Sequence, residues 1–197
     1  MNARQFAAAV GSENLRYRKV RTFAALLGKE SGLGAEGLTI VGGSALEVYT
    51  EGDYASEDVD LVADSRERVE RVLDSWGFLP EGKFWIHRDL RLWVEIVDGH
   101  YTGSRTRNRI VSTPYGEVRL ASLEDIVWKR TIEARAWNRP TALEEARLLV
   151  RRYGARLDWA YIEEQGRDQG ISGLVADLRK DVGRGPLKNP DARLRRE

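Results

Sequence analysis

The stretch Leu38–Ala63, LTIVGGSALEVYTEGDYASEDVDLVA, decides how this chain is read. Its first part is an apolar run, Leu38, Ile40 and Val41, that meets Gly42-Gly43-Ser44. Thirteen residues then separate Ser44 from Asp58-Val59-Asp60-Leu61-Val62, which reads as a strand carrying two carboxylates. Side chains two apart on a strand share a face, at a rise of ~3.3 Å per residue. Asp58 and Asp60 are therefore expected on one face, with Val59 and Leu61 turned into a core. Two carboxylates on one face, opposite a glycine turn that lets backbone approach phosphate, suit a divalent metal and a nucleoside triphosphate.

Outward from this stretch the periodicities are plain. On the N-terminal side, Val20, Phe23, Ala24 and Leu27 follow the helical period over 13–29, and Ser31-Gly32-Leu33-Gly34 is expected to end that helix. Its charges Arg16, Arg18, Lys19 and Arg21 read first as a solvated face. Residues 1–12 read as a short helix or a loose arm. Leu38–Val41 is the first expected strand, and Ser44 is expected to cap a short helix running through Val48 and Tyr49. On the other side, Ser65 caps a helix with Val69, Val72, Leu73 and Trp76 on one stripe, ended by Gly77. Lys83–Arg88 and Arg91–Val97 read as paired strands turning at Asp89-Leu90. In the second of these, Arg91, Trp93, Glu95 and Val97 share a face opposite Leu92, Val94 and Ile96. Glu95, not Asp98, is thus the acid expected to face out of the core. An acid amid apolar neighbours is costly to bury unless paired or metal-bound.

Further along, 99–108 is a polar, basic loop, and Ile110–Thr113 with Glu117–Leu120 reads as a hairpin around Pro114-Tyr115-Gly116. The composition then changes. Ser122-Leu123-Glu124-Asp125 opens a run that is helical over 122–137, 140–153, 158–168 and 171–182, with Pro140 in a first turn and Ser172 as a cap. Gly183–Glu197 has two Pro, two Gly and four Arg without an apolar stripe, and reads as a disordered or loosely draped tail. The expected organisation is an α/β domain over 1–120, a helical subdomain over 121–182 and a flexible basic tail over 183–197.

Composition bounds the function. The chain has 197 residues, 42% of them hydrophobic and six of them Trp, which argues for a packed core. A net charge of +1 provides no global field for nucleic acid, so such binding would need a local basic patch. Without Cys there is no disulfide framework, and with only two His a structural zinc site is not expected. Ala7-Ala8-Ala9-Val10 is too short for a signal-peptide core and no run approaches a membrane span, so a cytoplasmic protein without membrane partners is the default expectation.

The combination Val41-Gly42-Gly43-Ser44 and Asp58-Val59-Asp60-Leu61 resembles the DNA polymerase β-like nucleotidyltransferase superfamily. Its signature is an apolar strand, a glycine turn, a spacer of about ten residues and an acidic-apolar-acidic-apolar strand. The resemblance implies an α+β fold, a small mixed β-sheet with flanking helices followed by a C-terminal helical subdomain. It implies transfer of a nucleoside monophosphate from an NTP to a hydroxyl acceptor, with RNA or tRNA, protein and small molecules all among the acceptors of relatives. The implied cofactor is Mg²⁺ or Mn²⁺, two ions about 3.5–4 Å apart. Asp58 and Asp60 would bridge them, and Glu95 would be the third carboxylate, where the superfamily usually has Asp. Glu at that place, Gly77-Phe78 and Phe84-Trp85 are similar to a little-characterised prokaryotic branch. Gly42, Gly43 and Ser44 would hold the β and γ phosphates, and Lys129 matches a lysine able to reach a triphosphate. A toxin–antitoxin or phage-defence setting also comes from the resemblance alone.

Blander readings stand beside these. Asp58 and Asp60 can be a solvated sheet edge, Glu95 the partner of a basic residue such as Arg91, and Lys129 a solvated surface lysine. Arg105, Arg107 and Arg109 would share a face in extended chain and bind RNA backbone or nucleotide, or belong to a basic loop with no partner. Trp85 and Trp93 serve the core, or Trp93 stacks on a base. The competing function is a catalytically inactive nucleotidyltransferase-fold binding or regulatory module.

Overall fold

The computed structural model describes residues 1–97 and 101–185. The chain divides into two compact units, Met1–Ala121 and Ser122–Glu197. Asp98, and with it the comparison of Asp98 with Glu95, lies outside the described residues.

The first unit is a seven-stranded mixed sheet with helices, so the α+β reading is met. In chain order it runs α1 (Ala3–Gly11), α2 (Arg16–Ser31), β1 (Leu38–Ile40), α3 (Gly42–Thr50), β2 (Val59–Ala63) and α4 (Arg66–Ser75). Then come β3 (Leu79–Glu81), β4 (Phe84–His87), β5 (Leu92–Ile96), a 3-10 turn (Arg105–Arg107), β6 (Arg109–Thr113) and β7 (Gly116–Leu120). The strand order is β3-β4-β5-β2-β1-β7-β6. β2 lies antiparallel to β1 and parallel to β5, β1 is parallel to β7, and the outer strands pair as antiparallel hairpins. The short strand β3 has no period-two alternation to announce it: Leu79, Pro80 and Glu81 are all exposed.

Residues 1–12 are a docked helix rather than a loose arm. Asn2 and Gln5 close a capping box, and Phe6 and Val10 are fully buried. The Phe6 ring stacks on Trp76 at 4.0 Å and lies edge-on to Phe23. This aromatic cluster explains the Trp76 stripe of α4, and it buries large apolar areas where the helices cover one sheet face. Gly32, in the left-handed conformation (φ 65°), ends α2 as expected. The basic residues of α2 are not merely solvated. Arg16 reaches the carbonyl of Asp58 (3.3 Å), Lys19 that of Leu90 (3.3 Å) and Arg21 that of Ser112 (2.9 Å).

The second unit is helical: α5 (Leu123–Ala136), α6 (Pro140–Tyr153), a 3-10 turn (Gly154–Arg156), α7 (Trp159–Asp168) and α8 (Ser172–Arg179). Ser122 caps α5 through the N–H of Asp125, and Pro140 occupies the first turn of α6. Ser172 is not a cap: α8 starts at Ser172 itself, and Ile171 before it has no side-chain acceptor. The Asp125 carboxylate, fully buried, accepts from Trp128 Nε1 (3.0 Å) and the Tyr161 hydroxyl (2.8 Å). Buried Glu145 pairs with Arg130 (2.9 Å) and Arg139 (3.0 Å). Of the expected tail, residues 186–197 lie outside the described residues. Its start is tied down, because the Arg184 guanidinium meets buried Asp181 at 2.9 Å.

Candidate functional site

Strand β2 runs beside β5 in parallel register, with Val59 against Val94, Asp60 against Glu95 and Leu61 against Ile96. Val59, Leu61, Val94 and Ile96 are buried on the helix-covered side. The pleat then turns the alternate residues to the other face. There Asp58, Asp60 and Glu95, each half-buried, offer carboxylate oxygens that all lie within 4.8 Å of one another. The expected pair and its expected third acid therefore converge.

The glycine turn is laced to the same strand. The Val41 N–H donates to the Asp60 carbonyl (3.0 Å), and the Asp60 N–H donates to Ser44 Oγ (3.0 Å). Ser44 Oγ donates in turn to the Val41 carbonyl (2.9 Å). Ser44 is fully buried inside α3 and does not cap it; α3 begins at Gly42 after Val41, which has no side-chain acceptor. Its hydroxyl is spent on joining turn and strand. The Gly43 N–H donates to the Asp60 carboxylate at 3.1 Å. Gly42 sits at φ 57°, and a Cβ there would overlap that carboxylate. The turn and the second acid are thus one unit, held at the positive end of a helix dipole.

Asp58 is placed by a separate set of contacts. Ser56 Oγ donates to its carboxylate (3.2 Å), while the Ser56 N–H donates to Glu47 on α3 (3.2 Å). Glu47 is 1% exposed and faces Arg16 at 3.4 Å. Burial pushes the Glu47 carboxyl above the usual carboxylate range, against the pull of Arg16.

Three carboxylates this close repel unless a cation sits with them. Lys83 provides one: its ammonium lies 2.6 Å from Glu95. Its pKa is raised, first by the hydrogen bond to Glu95 and further by the charges of Glu95, Asp58 and Asp60. The basic partner of Glu95 is thus Lys83 and not Arg91. Four residues along a strand is ~13 Å, whereas directly opposite cross-strand neighbours are about 5 Å apart. Phe84 is the residue opposite Glu95, and Lys83 stands next to it with its ammonium 4.8 Å from the Phe84 ring centre. Only the strand register reveals Lys83; its sequence neighbours carry no sign of it.

Other expected residues fall elsewhere. Arg105–Arg107 is a 3-10 turn, so Arg105, Arg107 and Arg109 do not alternate along one extended face. Arg105 is bound to Asp64, which draws its charge away from a free basic loop. Lys129 lies on α5 in the second unit, half-buried with its ammonium 5.5 Å from the Trp128 ring centre, and burial lowers its pKa. Trp85, opposite Val94, takes the core side, while Trp93 lies on the open face.

Next to Asp58 is a cavity of about 570 Å³, its walls including Phe84, Trp93, Lys19 and Arg91. Among the described residues no helix is long and apolar enough to cross a membrane. The chemistry of the carboxylate cluster fits a hard divalent cation, with oxygen donors from Asp60 on β2, Glu95 on β5 and Asp58 just before β2. No family model matches this chain, and no curated protein or solved structure matches it either.

Proposed function

We propose that this chain is a divalent-metal-dependent nucleotidyltransferase of the DNA polymerase β-like kind, with Mg²⁺ or Mn²⁺ as cofactor and an NTP as donor. The observation that carries the reading is the convergence of Asp58, Asp60 and Glu95 within 4.8 Å, with the glycine turn bonded to the middle acid. Three acids alone would support a cation site of any purpose. The turn at the head of α3, attached to one of them, adds the anion-binding half that a nucleotide requires.

In this reading an acceptor hydroxyl oxygen forms a bond to the α-phosphorus. The bond from that phosphorus to the bridging oxygen breaks, and pyrophosphate leaves. Metal bound at the cluster supplies Lewis-acid stabilisation of the developing charge. Asp58, Asp60 and Glu95 hold it, and Gly42 and Gly43 let backbone approach the triphosphate. Glu95 helps to take the proton from the acceptor hydroxyl.

Incubation with each α-labelled NTP, Mg²⁺ or Mn²⁺, and separate RNA, protein and small-molecule fractions tests this. Label should enter one fraction with pyrophosphate release, and an Asp58→Asn, Asp60→Asn double variant should lose both. Absence of transfer and of pyrophosphate release with every NTP and fraction would refute the proposal.

One observation favours a second reading, an inactive binding or regulatory module of the same fold. Lys83 already neutralises the third acid, as a site retired from metal chemistry would be neutralised. The module binds nucleotide without releasing pyrophosphate, so the same assay separates the two.

A further inference from the structure

The cavity beside Asp58 combines features that the metal site does not use. Its volume, about 570 Å³, is in the range of small-molecule sites and large enough for one nucleotide unit. Phe84 and Trp93, both half-buried, put two aromatic side chains on its wall. Arg16, Lys19 and Arg91 bring three cations to it, against the two acids Glu57 and Asp58.

These cations are not equivalent. Arg16 is engaged by Glu47 and the Asp58 carbonyl. Lys19 donates to the Leu90 carbonyl, which secures the turn that carries Arg91 and leaves the ammonium two further donors. Arg91 is exposed, and its guanidinium has no hydrogen-bond or ion-pair partner among the described residues. It is also held at φ 51°, a left-handed conformation that costs a non-glycine residue about 1–3 kcal/mol. That backbone closes the turn between β4 and β5, where the Arg91 N–H donates to the Arg88 carbonyl (3.0 Å), and the unpaired guanidinium lines the aromatic cavity. A guanidinium's planar fork matches phosphate oxygens, and aromatic side chains stack on any base. Glu57 is exposed and screened by water, and a cation bound at the cluster would offset Asp58.

We propose that this cavity is the acceptor site and takes a nucleoside phosphate. The base lies against Trp93 and Phe84, the phosphate on Arg91 and Lys19, and the sugar hydroxyl toward Asp58. The hydroxyl oxygen then bonds to the α-phosphorus of the NTP, pyrophosphate leaves, and the hydroxyl proton passes to a carboxylate of the cluster. The word acceptor rests on the transferase reading; binding of the nucleoside phosphate does not.

Calorimetric titration of the full chain with a nucleoside 5′-monophosphate, the matching nucleoside and inorganic phosphate reads the site directly. The monophosphate should bind at least tenfold more tightly than either fragment. Arg91→Gln should reduce it to the level of the nucleoside. Trp93→Leu should weaken it at least fivefold, and Lys19→Gln, the mildest change, severalfold. Circular dichroism melts verify that each variant is folded. A competing oligoribonucleotide with a free 3′ hydroxyl distinguishes the sources: tighter, Arg91-dependent binding identifies an RNA end, and weaker binding identifies a free nucleotide. Monophosphate binding that ignores Arg91→Gln, Lys19→Gln and Trp93→Leu, or a nucleoside that binds as well as its monophosphate, overturns the proposal. If this pattern holds but no NTP label is ever transferred, the transferase reading fails and the binding site stands. If label is transferred without the pattern, the cavity assignment alone fails.

Discussion

The Asp60 carboxylate occupies the space beside Gly42 that any side chain there would need. It accepts the N–H of the next residue, Gly43, at 3.1 Å. Glycine is thus required at 42 for two reasons, the positive φ of 57° and the closeness of an acid that belongs to the site.

Gly42→Ala is expected to lower stability by roughly 1–3 kcal/mol through backbone strain. It should also displace the Asp60 carboxylate and weaken divalent-metal binding at least tenfold. Thermal melts with and without Mn²⁺ measure both effects. A variant with a normal metal-linked rise in Tm would show that Asp60 is not held by this turn.

A second prediction concerns how Asp58 is placed. Glu47 connects α3 to the Ser56 N–H, and Ser56 in turn donates to Asp58. Glu47→Ala leaves the Arg16 charge with only the Asp58 carbonyl as partner and a buried N–H without an acceptor. The expected loss is about 3 kcal/mol, the low end for breaking a buried pair because Arg16 stays 28% exposed. Glu47→Gln keeps an acceptor for Ser56 and should lose less. Both losses are read by urea unfolding. Metal affinity should fall in the order wild type, Gln, Ala, because the path from Glu47 to Asp58 weakens in that order.

Much of this site was legible in the sequence, for a physical reason. Period-two alternation in 58–62 and 91–97 puts acids and aliphatics on opposite faces, and the parallel pairing of Asp60 with Glu95 follows that division. Side chains brought in by strand register or by a helix crossing were not legible. Lys83 approaches Glu95 from the turn that precedes β4, and Glu47 approaches Ser56 from a helix. Neither carries a local signal, because the partners, 12 and 9 residues away, are brought close by strand pairing and by the placement of a helix rather than by a sequence period. Ser44 shows the opposite limit. It stands where a cap is expected, yet backbone bonding to Asp60 draws its hydroxyl inside.

A third prediction is a pH effect from His87. The imidazole lies 5.2 Å from the Phe78 ring and 6.2 Å from the Phe6 ring, measured between ring centres, and Nδ1 accepts the Leu90 N–H (3.4 Å). Burial lowers its pKa below the ordinary 6.5, with Asp89 opposing. The unfolded chain therefore binds more protons between the folded value and 6.5, so stability rises with pH in that window and is lost as pH falls through it. Buried Glu47 and Glu145, raised by burial, act with the opposite sign. An NMR titration should find His87 titrating below 6.5. The acid-linked fall in Tm just below pH 6.5 should be smaller in His87→Gln; an equal fall in the variant would place its origin elsewhere.

The last prediction separates two roles for Lys83. Its ammonium, 2.6 Å from Glu95, is an internal counter-ion that an incoming divalent cation must displace or share. The side chain is 63% exposed, so solvent screens the pair and its strength is modest. Lys83→Met keeps the aliphatic stem against Phe84 and removes only the charge. If Lys83 competes with metal, the variant should bind Mn²⁺ about two- to fivefold more tightly, the gain shrinking as salt is added. If it instead holds Glu95 in a metal-ready position, the same variant should bind Mn²⁺ more weakly. Titration at two ionic strengths distinguishes these, because competition is electrostatic and fades with salt while loss of position does not. Competition is the expected result, since Glu95 sits on a paired strand and needs no lysine to fix its direction.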